Sequence, residues 1–259
     1  MDTPEIEEPV LLEVRGPAAF LTLNRPEFGN SVNVAMAKAL LDKVTVAAQD
    51  PSIVAVVIRG SGRMFCAGGD VKSLHAAGTD LPATLREILL HLHPAIHTLA
   101  TMDKPVVSAI QGPTAGVGIA LAAVADIALA EPQAHFTMAY SRIGLTPDGG
   151  TSWLLPRLIG LRRAQDLSYT NRRVLATEAA QIGLITRVVT EGTLSKEVED
   201  VVGILVSRSP GALGRTKRLL HAADGVDFKH QLDAEIEAIA AQGSNPQSQA
   251  AIASLVVRN

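Results

Sequence analysis

Two short glycine-containing segments constrain this chain most, because each follows an apolar run typical of a buried strand. Residues 53–58 (IVAVVI) precede the segment 65–70 (FCAGGD), and residues 106–110 (VVSAI) precede the segment 112–118 (GPTAGVG). Ligands of α/β folds bind at strand ends, and glycines let backbone N–H groups approach a ligand closely. The two segments together predict one site that stabilises an anion.

The second segment leads into an alanine-rich apolar stretch, residues 119–124, that is typical of a buried helix. A helix N-terminus carries partial positive charge, which makes its amides better donors to an anion. Either segment alone would fit an ordinary turn, because paired glycines are common there. The pairing of the two segments is what indicates a site.

Composition narrows the class of protein. The chain has 259 residues, of which 47% are hydrophobic, so we expect one large domain or a domain with an extension. The net charge is −3 and the 23 Lys and Arg residues are scattered, which argues against nucleic acid as a partner. The chain has no run of 18 apolar residues, and its acidic start at residues 1–8 is unlike a signal peptide. We therefore expect a cytoplasmic protein that does not bind membranes.

Strand-like and helical patterns alternate through the first 190 residues. Strands are predicted at 10–14, 18–23, 53–59, 106–110, 126–130 and 185–189. Helices are predicted at 34–48 after the N-cap Asn33, at 85–101 with an interruption at His93 and Pro94, and at 151–159. This alternation predicts an α/β fold with parallel strand pairing.

Strand signals stop after residue 189. Four helices are predicted beyond it, at 194–207, 211–222, 228–241 and 247–256. We therefore expect two regions, a core at 1–190 that carries the site and a helical region at 191–259 that caps the core or supports assembly.

A set of motifs resembles the enoyl-CoA hydratase/isomerase (crotonase) family over about three quarters of the chain. The similar motifs are LNRP at 23–26, FCAGGDVK at 65–72, KPV at 104–106, GVGIALA at 116–122, DIA at 126–128 and GLTPDGG at 144–150. The resemblance implies a spiral of ββα units with a C-terminal helical extension. It also implies an acyl-CoA substrate, no permanently bound cofactor beyond the coenzyme A of that substrate, and a homotrimer or hexamer.

The resemblance further implies an oxyanion hole made of two backbone amides, which polarise a thioester carbonyl and stabilise an enolate. Carried onto this chain, the two amides are those of Ala67 and Val117. Both must be fixed before charge develops, and losing one such donor costs about 3 kcal/mol in barrier. Other substrate-binding positions implied by these motifs are Gly68, Gly116, Gly118 and Tyr140.

The coenzyme A end of the site is implied by a second group of residues. Arg25 lies in a loop that meets coenzyme A in the family, and a cation there suits a phosphate or the adenine. Asp70, Val71 and Lys72 would border the pantetheine and adenine. The alternatives are that Arg25 is a solvated loop residue and that Asp70 caps the helix that follows it.

The hydratases of the family use two glutamates, and neither is present here. The matching positions hold Ala120 and Tyr140. Alanine can neither orient a water molecule nor take its proton, and a tyrosine with a pKa of about 10 is a poor base at neutral pH. The two-glutamate route of hydration is therefore put in doubt.

Asp148, in the segment TPDGG at 146–150, is the remaining candidate base. The segment is similar to the one that carries a proton-shuttling Glu or Asp in enoyl-CoA isomerases and ring-epoxide isomerases. The alternative is that Asp148 caps the helix at 151–159. We expect an enoyl-CoA isomerase; the alternatives are a hydratase or dehydratase, a decarboxylase, a thioester hydrolase, and a non-catalytic coenzyme A-binding subunit.

The remaining polar and aromatic residues are interpreted as structural. Cys66, the single cysteine, is expected to be a buried apolar filler rather than a nucleophile. His91, His93 and His97 lack the carboxylate of a recognisable zinc motif, so no metal site is expected. Trp153 is expected to pack near the acyl pocket.

Overall fold

The computed structural model describes residues 8–257. The acidic start used above therefore lies, apart from Glu8, outside the described residues, and so do the last two residues of the predicted helical region. Over the described range, no helix is both long and apolar enough to cross a bilayer.

Nine strands are present within residues 8–257 and form two sheets. They are β1 (Val10–Arg15), β2 (Ala18–Leu23), β3 (Ala55–Gly60), β4 (Val106–Ile110), β5 (Thr114–Ala115), β6 (Ile127–Ala130), β7 (His135–Thr137), β8 (Val174–Leu175) and β9 (Arg187–Val188).

Eleven α-helices accompany these strands in the same range. They are α1 (Val34–Gln49), α2 (Val71–Ala76), α3 (Leu81–Thr101), α4 (Val117–Ala123), α5 (Thr151–Ile159), α6 (Leu161–Thr170), α7 (Ala176–Ile182), α8 (Leu194–Val206), α9 (Pro210–Ala222), α10 (Phe228–Gly243) and α11 (Pro246–Val257).

The larger sheet has the order β1-β2-β3-β4-β6-β9. β1 runs antiparallel to β2, and every later pair is parallel, as the strand and helix alternation predicts. All residues of β2 and β4 are buried, because parallel strands are covered on both faces.

Each turn of the chain adds one strand to the larger sheet, then a short extended segment, then a helix. The short segments pair in parallel with one another, through the bridges Val32 to Gly69 and Cys66 to Thr114 and through β5 with β7. β8 adds to β7 in antiparallel fashion. This arrangement is the ββα spiral that the resemblance implies, and it stacks the starts of successive helices beside one another.

The sheet is covered on both faces. One face packs against α1, α3 and α4, and the other packs against five buried residues of α8, namely Leu194, Val198, Val201, Val202 and Leu205. α8 thus shares the core of the sheet, whereas α10 buries none of its residues. A structural division near residue 190 remains a prediction.

A buried lysine fixes α9 to the body of the protein. The Lys217 ammonium lies 2.9 Å from Oδ2 of Asp126, at the start of β6, and donates to the carbonyl of Leu99 at 2.8 Å. Removing one partner of a buried pair leaves an uncompensated charge, so this contact holds α9 firmly against the ends of α3 and β4.

The predicted helices agree with the structure within a few residues, with one clear error in α3. This helix begins at Leu81, not at residue 85, and continues through Pro94, where an interruption is expected from the sequence. Buried contacts of Leu92, Ala95 and Ile96 on either side of the proline hold the helix together. The sequence patterns also miss α6, α7 and the short strands β5, β7 and β8, whereas α2 is the helix expected after Asp70.

Candidate active site

A cavity of about 140 Å³ lies between the two glycine segments, α2, α3 and the chain before α5. The helices supply an aliphatic wall, made of Val71, Leu74, Leu85, Ile88, Leu89 and Leu92. The opposite side is more polar and is lined by Gly68, Gly69, Gly116, Val117, Tyr140 and Asp148. The structure therefore brings the two glycine segments and the candidate base to one cavity.

Gly68 and Gly116 lie in direct backbone contact. A Cβ on Gly68 would stand 2.9 Å from the carbonyl oxygen of Ala115 and 3.4 Å from Cα of Gly116. Both glycines also have positive φ, +97° and +50°, which side chains disfavour. The peptide groups that follow these two glycines are therefore neighbours beside the cavity.

The N–H of Gly69 is free to bind a ligand. Val32 donates to the carbonyl of Gly68 at 2.7 Å and accepts from the N–H of Asp70 at 2.9 Å. In such a parallel bridge the N–H of the residue between, Gly69, points away from Val32. It has no acceptor within residues 8–257, and Gly69 lines the cavity.

The oxyanion role expected for Ala67 is wrong on this geometry. Its N–H donates to the carbonyl of Gly29 at 2.9 Å and so is already used, although Ala67 does line the cavity. Counting along the motif could not reveal this, because the direction of each amide depends on the Val32 bridge and on the unusual φ of Gly68.

Val117 is the first residue of α4, and its N–H is free in the described part of the chain. First-turn amides have no intrahelical acceptor, whereas the preceding amide, that of Gly116, already donates to Thr137 at 3.1 Å. Gly118 has a different role from the one expected. A Cβ there would lie 2.6 Å from the carbonyl of Cys66, so Gly118 allows close packing and does not line the cavity.

Asp148 is held at three points. Its carboxylate Oδ1 accepts a hydrogen bond from the hydroxyl of Tyr140, with the two oxygens 2.6 Å apart. Its carbonyl accepts from the N–H and the hydroxyl of Thr151, at 3.0 and 2.8 Å, and the N–H of the same peptide group, on Gly149, donates to Nε2 of His93 at 3.2 Å. The N-cap of α5 is Gly150, so the helix-cap interpretation of Asp148 is wrong.

Burial dominates the protonation of this pair. It raises the pKa of Asp148 above the usual value of an aspartate, although the hydrogen bond from the Tyr140 hydroxyl acts to lower that pKa. Burial and the neighbouring Asp148 carboxylate also raise the pKa of Tyr140, so the phenol stays protonated and serves as a donor. A carboxylate with a raised pKa is a better proton acceptor.

The turn that carries Asp148 packs directly on α4. Gly149 has a φ of +59°, and a Cβ there would stand 2.8 Å from Cγ2 of Val117 and 2.9 Å from Cβ of Ala120. The turn that carries Asp148 is therefore held against the first turn of α4, which begins at Val117. The same contact fills the space beyond Ala120, which is fully buried.

The residues expected at the coenzyme A end form an ion pair away from the cavity wall. Nη2 of Arg25 lies 3.0 Å from Oδ2 of Asp70, and Nη1 donates to the carbonyl of Ser31 at 2.7 Å. The Arg25 side chain is only 14% exposed, so it is not a solvated loop residue. Asp70 accepts from the N–H of Ser73 at 3.1 Å, which confirms the helix cap.

The Asp70 carboxylate stays ionised in this setting. Burial tends to raise the pKa of Asp70, but the hydrogen bonds from Ser73 and Arg25 outweigh it and hold that pKa below its usual value. Lys72 is exposed, with its ammonium 6.0 Å from the centre of the Phe28 ring, and Arg25 stacks on the same ring at 4.5 Å. A cation and an exposed aromatic ring therefore stand near the start of α2.

The structure confirms the prediction for Cys66 and contradicts the one for Trp153. Cys66 is buried, and burial raises the pKa of its thiol to about 12, as expected for a filler. Trp153 is 49% exposed and stacks on Arg157 at 3.8 Å, so its placement near the acyl pocket is wrong. Within the described residues, no group of three or more His, Cys, Asp and Glu could hold a metal.

Sequence reasoning missed two residues of the site. The motifs alone point to the amide of Ala67 and not to that of Gly69, two residues further on, and they give His93 no role distinct from those of His91 and His97. Nothing in the sequence links His93 to Gly149, which lies 56 residues further along the chain.

Comparisons with known proteins show the family of this chain. The family model described as enoyl-CoA hydratase/isomerase matches residues 14–256. The chain is 34% identical over 227 residues to 1,2-epoxyphenylacetyl-CoA isomerase of Escherichia coli (strain K12), covering 87% of each chain. It is also 34% identical over 210 residues to a probable enoyl-CoA hydratase of Rhodobacter capsulatus, covering 81% of this chain and 80% of that one.

A solved structure shares the whole fold. The crystal structure of an enoyl-CoA hydratase from Polaromonas sp. JS666 superposes with a TM-score of 0.91 at 32% identity, covering 96% of this chain and 97% of the other. The spiral and its site thus define an enzyme with the crotonase fold. The chain belongs to the enoyl-CoA hydratase/isomerase family, which implies CoA thioester substrates.

Proposed function

We propose that this enzyme is an enoyl-CoA isomerase that shifts a double bond by moving one proton through Asp148. The observation that carries the proposal is that Asp148 is the one carboxylate lining the cavity in the described residues. The similarity to an isomerase that acts on a CoA ester, at 34% identity, supports the same class of reaction.

The oxyanion hole in this proposal consists of the N–H groups of Gly69 and Val117. Both amides are free, both residues line the cavity, and the contact between Gly68 and Gly116 makes them neighbours. Backbone donors fixed in this way stabilise negative charge as it forms, without reorganisation during the reaction.

The reaction then needs a single base. Asp148 removes a proton from the α carbon of a 3-enoyl-CoA, and the C–H electron pair delocalises into the thioester to give a dienolate. The dienolate oxygen accepts from Gly69 and Val117. Asp148 then returns its proton to the γ carbon, and the double bond ends between the α and β carbons. No atom is gained or lost, so no second acid is required.

Hydration makes a further demand that this site does not meet. A group must place and deprotonate a water molecule at the β carbon, and Ala120 has no polar atom with which to do so. The Asp148–Gly149 turn also occupies the space in front of Ala120, with Gly149 packed against its Cβ. Tyr140 stays protonated and donates a hydrogen bond to Asp148, so it is no base for a water molecule.

The cavity and its surroundings support separate binding places for the acyl chain and for the coenzyme A part of the substrate. The acyl chain fits against the aliphatic wall from α2 and α3, because burying a hydrocarbon chain there removes apolar surface from water. Coenzyme A is proposed to leave the cavity near Lys72 and Phe28, where a cation and an exposed ring suit a phosphate and an adenine. Arg25 acts at that end indirectly, by holding Asp70 and the start of α2.

The proposed assembly is a homotrimer or hexamer. The helix α10 buries none of its residues, yet its apolar side chains recur at helical spacing, at Phe228, Leu232, Ile236 and Ile239, and all four are exposed. A second copy of the chain would cover this stripe. Light scattering coupled to size exclusion measures the number of copies, and a monomer at micromolar concentration would contradict the proposal.

A paired assay tests the reaction. Purified enzyme is given 3-enoyl-CoA and, separately, 2-enoyl-CoA, and both double-bond migration and water addition are followed. We expect migration in the wild type, its loss in Asp148→Asn, and no loss in Asp42→Asn, a control at an exposed aspartate of α1. Water addition that survives in Asp148→Asn would mean that both the residue and the reaction are wrong.

A further inference from the structure

We propose that His93 is a positioning residue, which holds the Asp148 base in place by accepting a hydrogen bond from the next peptide N–H. This inference rests on the proposed function of Asp148. The residue lies on α3, and its Nε2 atom is 3.2 Å from the nitrogen of Gly149.

The peptide group between Asp148 and Gly149 is held on both sides. Its carbonyl accepts from Thr151, and its N–H donates to His93. Rotation of this peptide plane would break these hydrogen bonds and loosen the backbone from which the Asp148 side chain projects. The two hydrogen bonds on opposite sides of one peptide plane prevent that rotation.

Gly149 makes this second hydrogen bond important. Gly149 has a φ of +59° and no side chain that would restrict its backbone, so packing and hydrogen bonds must fix the turn. A Cβ at this position would collide with Val117, Ala120 and Ile96, which excludes the usual way of stiffening a turn by replacing glycine. An acceptor supplied by α3 performs that task from outside the turn.

The geometry also fixes the state of the imidazole. An N–H can donate to Nε2 only when that nitrogen carries no proton, so this hydrogen bond requires the imidazole tautomer with its proton on Nδ1. The charge and the tautomer of His93 are therefore linked to the position of the base, although the ring does not line the cavity.

Two substitutions distinguish the role of His93 as a hydrogen-bond acceptor from the role of its side-chain volume. His93→Leu removes the acceptor, and His93→Gln keeps an oxygen close to the place of Nε2. We expect His93→Leu to lower kcat of isomerisation by roughly tenfold with KM within about twofold, because small displacements of a catalytic group are costly. We expect His93→Gln to recover most of kcat. His97→Leu, on an exposed position one turn along α3, is the matched control and should behave as wild type.

NMR tests the hydrogen bond between Gly149 and His93 independently of activity. Nitrogen-15 NMR should show His93 with its proton on Nδ1, and the Gly149 amide should be protected from solvent exchange in the wild type and in His93→Gln. In His93→Leu that amide should exchange at least about tenfold faster. A wild type without isomerase activity would refute the proposed function, while these signals would still report on the hydrogen bond.

Three results would overturn the inference. They are a proton on Nε2 of His93, equal kcat in His93→Leu and the wild type, or equal impairment in His93→Leu and His93→Gln. The last result would show that His93 contributes only the shape of its ring.

Discussion

The hydroxyl of Tyr140 lies 2.6 Å from Oδ1 of Asp148, at the inner side of an apolar cavity. The motif resemblance puts Tyr140 at the position of a hydratase glutamate, and in the structure its hydroxyl donates to Asp148, eight residues further along the chain. Both groups have raised pKa values because of burial, and only the aspartate can act as a base near neutral pH. In the proposed mechanism, Asp148 is therefore the single acid and base of the reaction, and Tyr140 is its hydrogen-bond donor.

Tyr140→Phe should move the acid limb of the pH profile to higher pH. Asp148 acts as a base only when ionised, and the Tyr140 hydroxyl lowers its pKa against the effect of burial. Removing that hydroxyl raises the Asp148 pKa further, so the loss of kcat/KM on acidification begins at a higher pH. The profile of kcat/KM against pH measures this shift.

The matched control is Tyr169→Phe, because Tyr169 is the other tyrosine of the chain and is exposed on α6. Its acid limb should coincide with that of the wild type. A shift of the Tyr140→Phe limb to lower pH would contradict the assignment of Asp148 as the base.

Asp148→Asn should abolish isomerisation while leaving the protein at least as stable near neutral pH. A lost general base costs about 100-fold or more in rate. The folded-state pKa of Asp148 is raised, so this group favours folding below its unfolded-state pKa, and the benefit is lost as pH rises through the folded-state value. Near pH 7 the buried, ionised carboxylate lowers the free energy of unfolding, and asparagine removes this destabilisation.

Thermal unfolding at neutral and at acid pH measures this second effect. The advantage of Asp148→Asn over the wild type should shrink as pH falls, because the wild-type carboxyl then becomes neutral too. A variant that is clearly less stable than the wild type near pH 7 would argue against a raised pKa.

Gly69→Pro should reduce kcat/KM by roughly 100-fold or more, because proline removes the free N–H proposed as an oxyanion donor. Gly69→Ala is the matched control. A Cβ at this position meets only Leu74, at an ordinary contact distance of 3.6 Å, and the N–H is kept. We expect Gly69→Ala to retain activity within about threefold, in assays at saturating and limiting substrate.

Ala67→Pro tests the alternative amide. It removes the hydrogen bond to Gly29, so we expect a loss of about 1 kcal/mol or more in the free energy of unfolding. Ala67→Ser keeps that N–H and should leave kcat unchanged. If Gly69→Pro folds and retains its full rate, the oxyanion hole lies elsewhere.

Ala120→Glu should not create a hydratase. The added side chain has no room, because Ala120 is fully buried and the Asp148–Gly149 turn packs on its Cβ. Overpacking costs about 1–3 kcal/mol, and an unpaired buried charge adds to that. We expect a lower unfolding temperature, weaker isomerisation and no water addition to 2-enoyl-CoA.

Ala120→Ser is the smaller change that controls for polarity alone, and its stability should lie close to that of the wild type. Measurable hydration by Ala120→Glu would show that the turn can move aside. In that case the contact between Gly149 and Ala120 would not be what separates the two reactions.

The parallel strands of the larger sheet and the position of the candidate site could be predicted from the sequence. The apolar, β-branched runs gave the parallel strands, and the glycine pairs after two of them marked the site, because only local composition is needed to recognise either. Short strands such as β5 and β8 could not be found in this way. Two residues carry too little pattern, and these strands exist only because the spiral places them beside one another.

The sequence by itself determined the fold class and the family, and it indicated Asp148 as the candidate base. It could not determine which amide is free, since Ala67 and Gly69 differ only in the partners that a distant loop and the Val32 bridge provide. It also could not bring His93 to Gly149. Hydrogen-bond direction and contacts between remote residues are properties of the folded chain, so the tertiary structure alone decided how the proposed base and the proposed oxyanion donors are held.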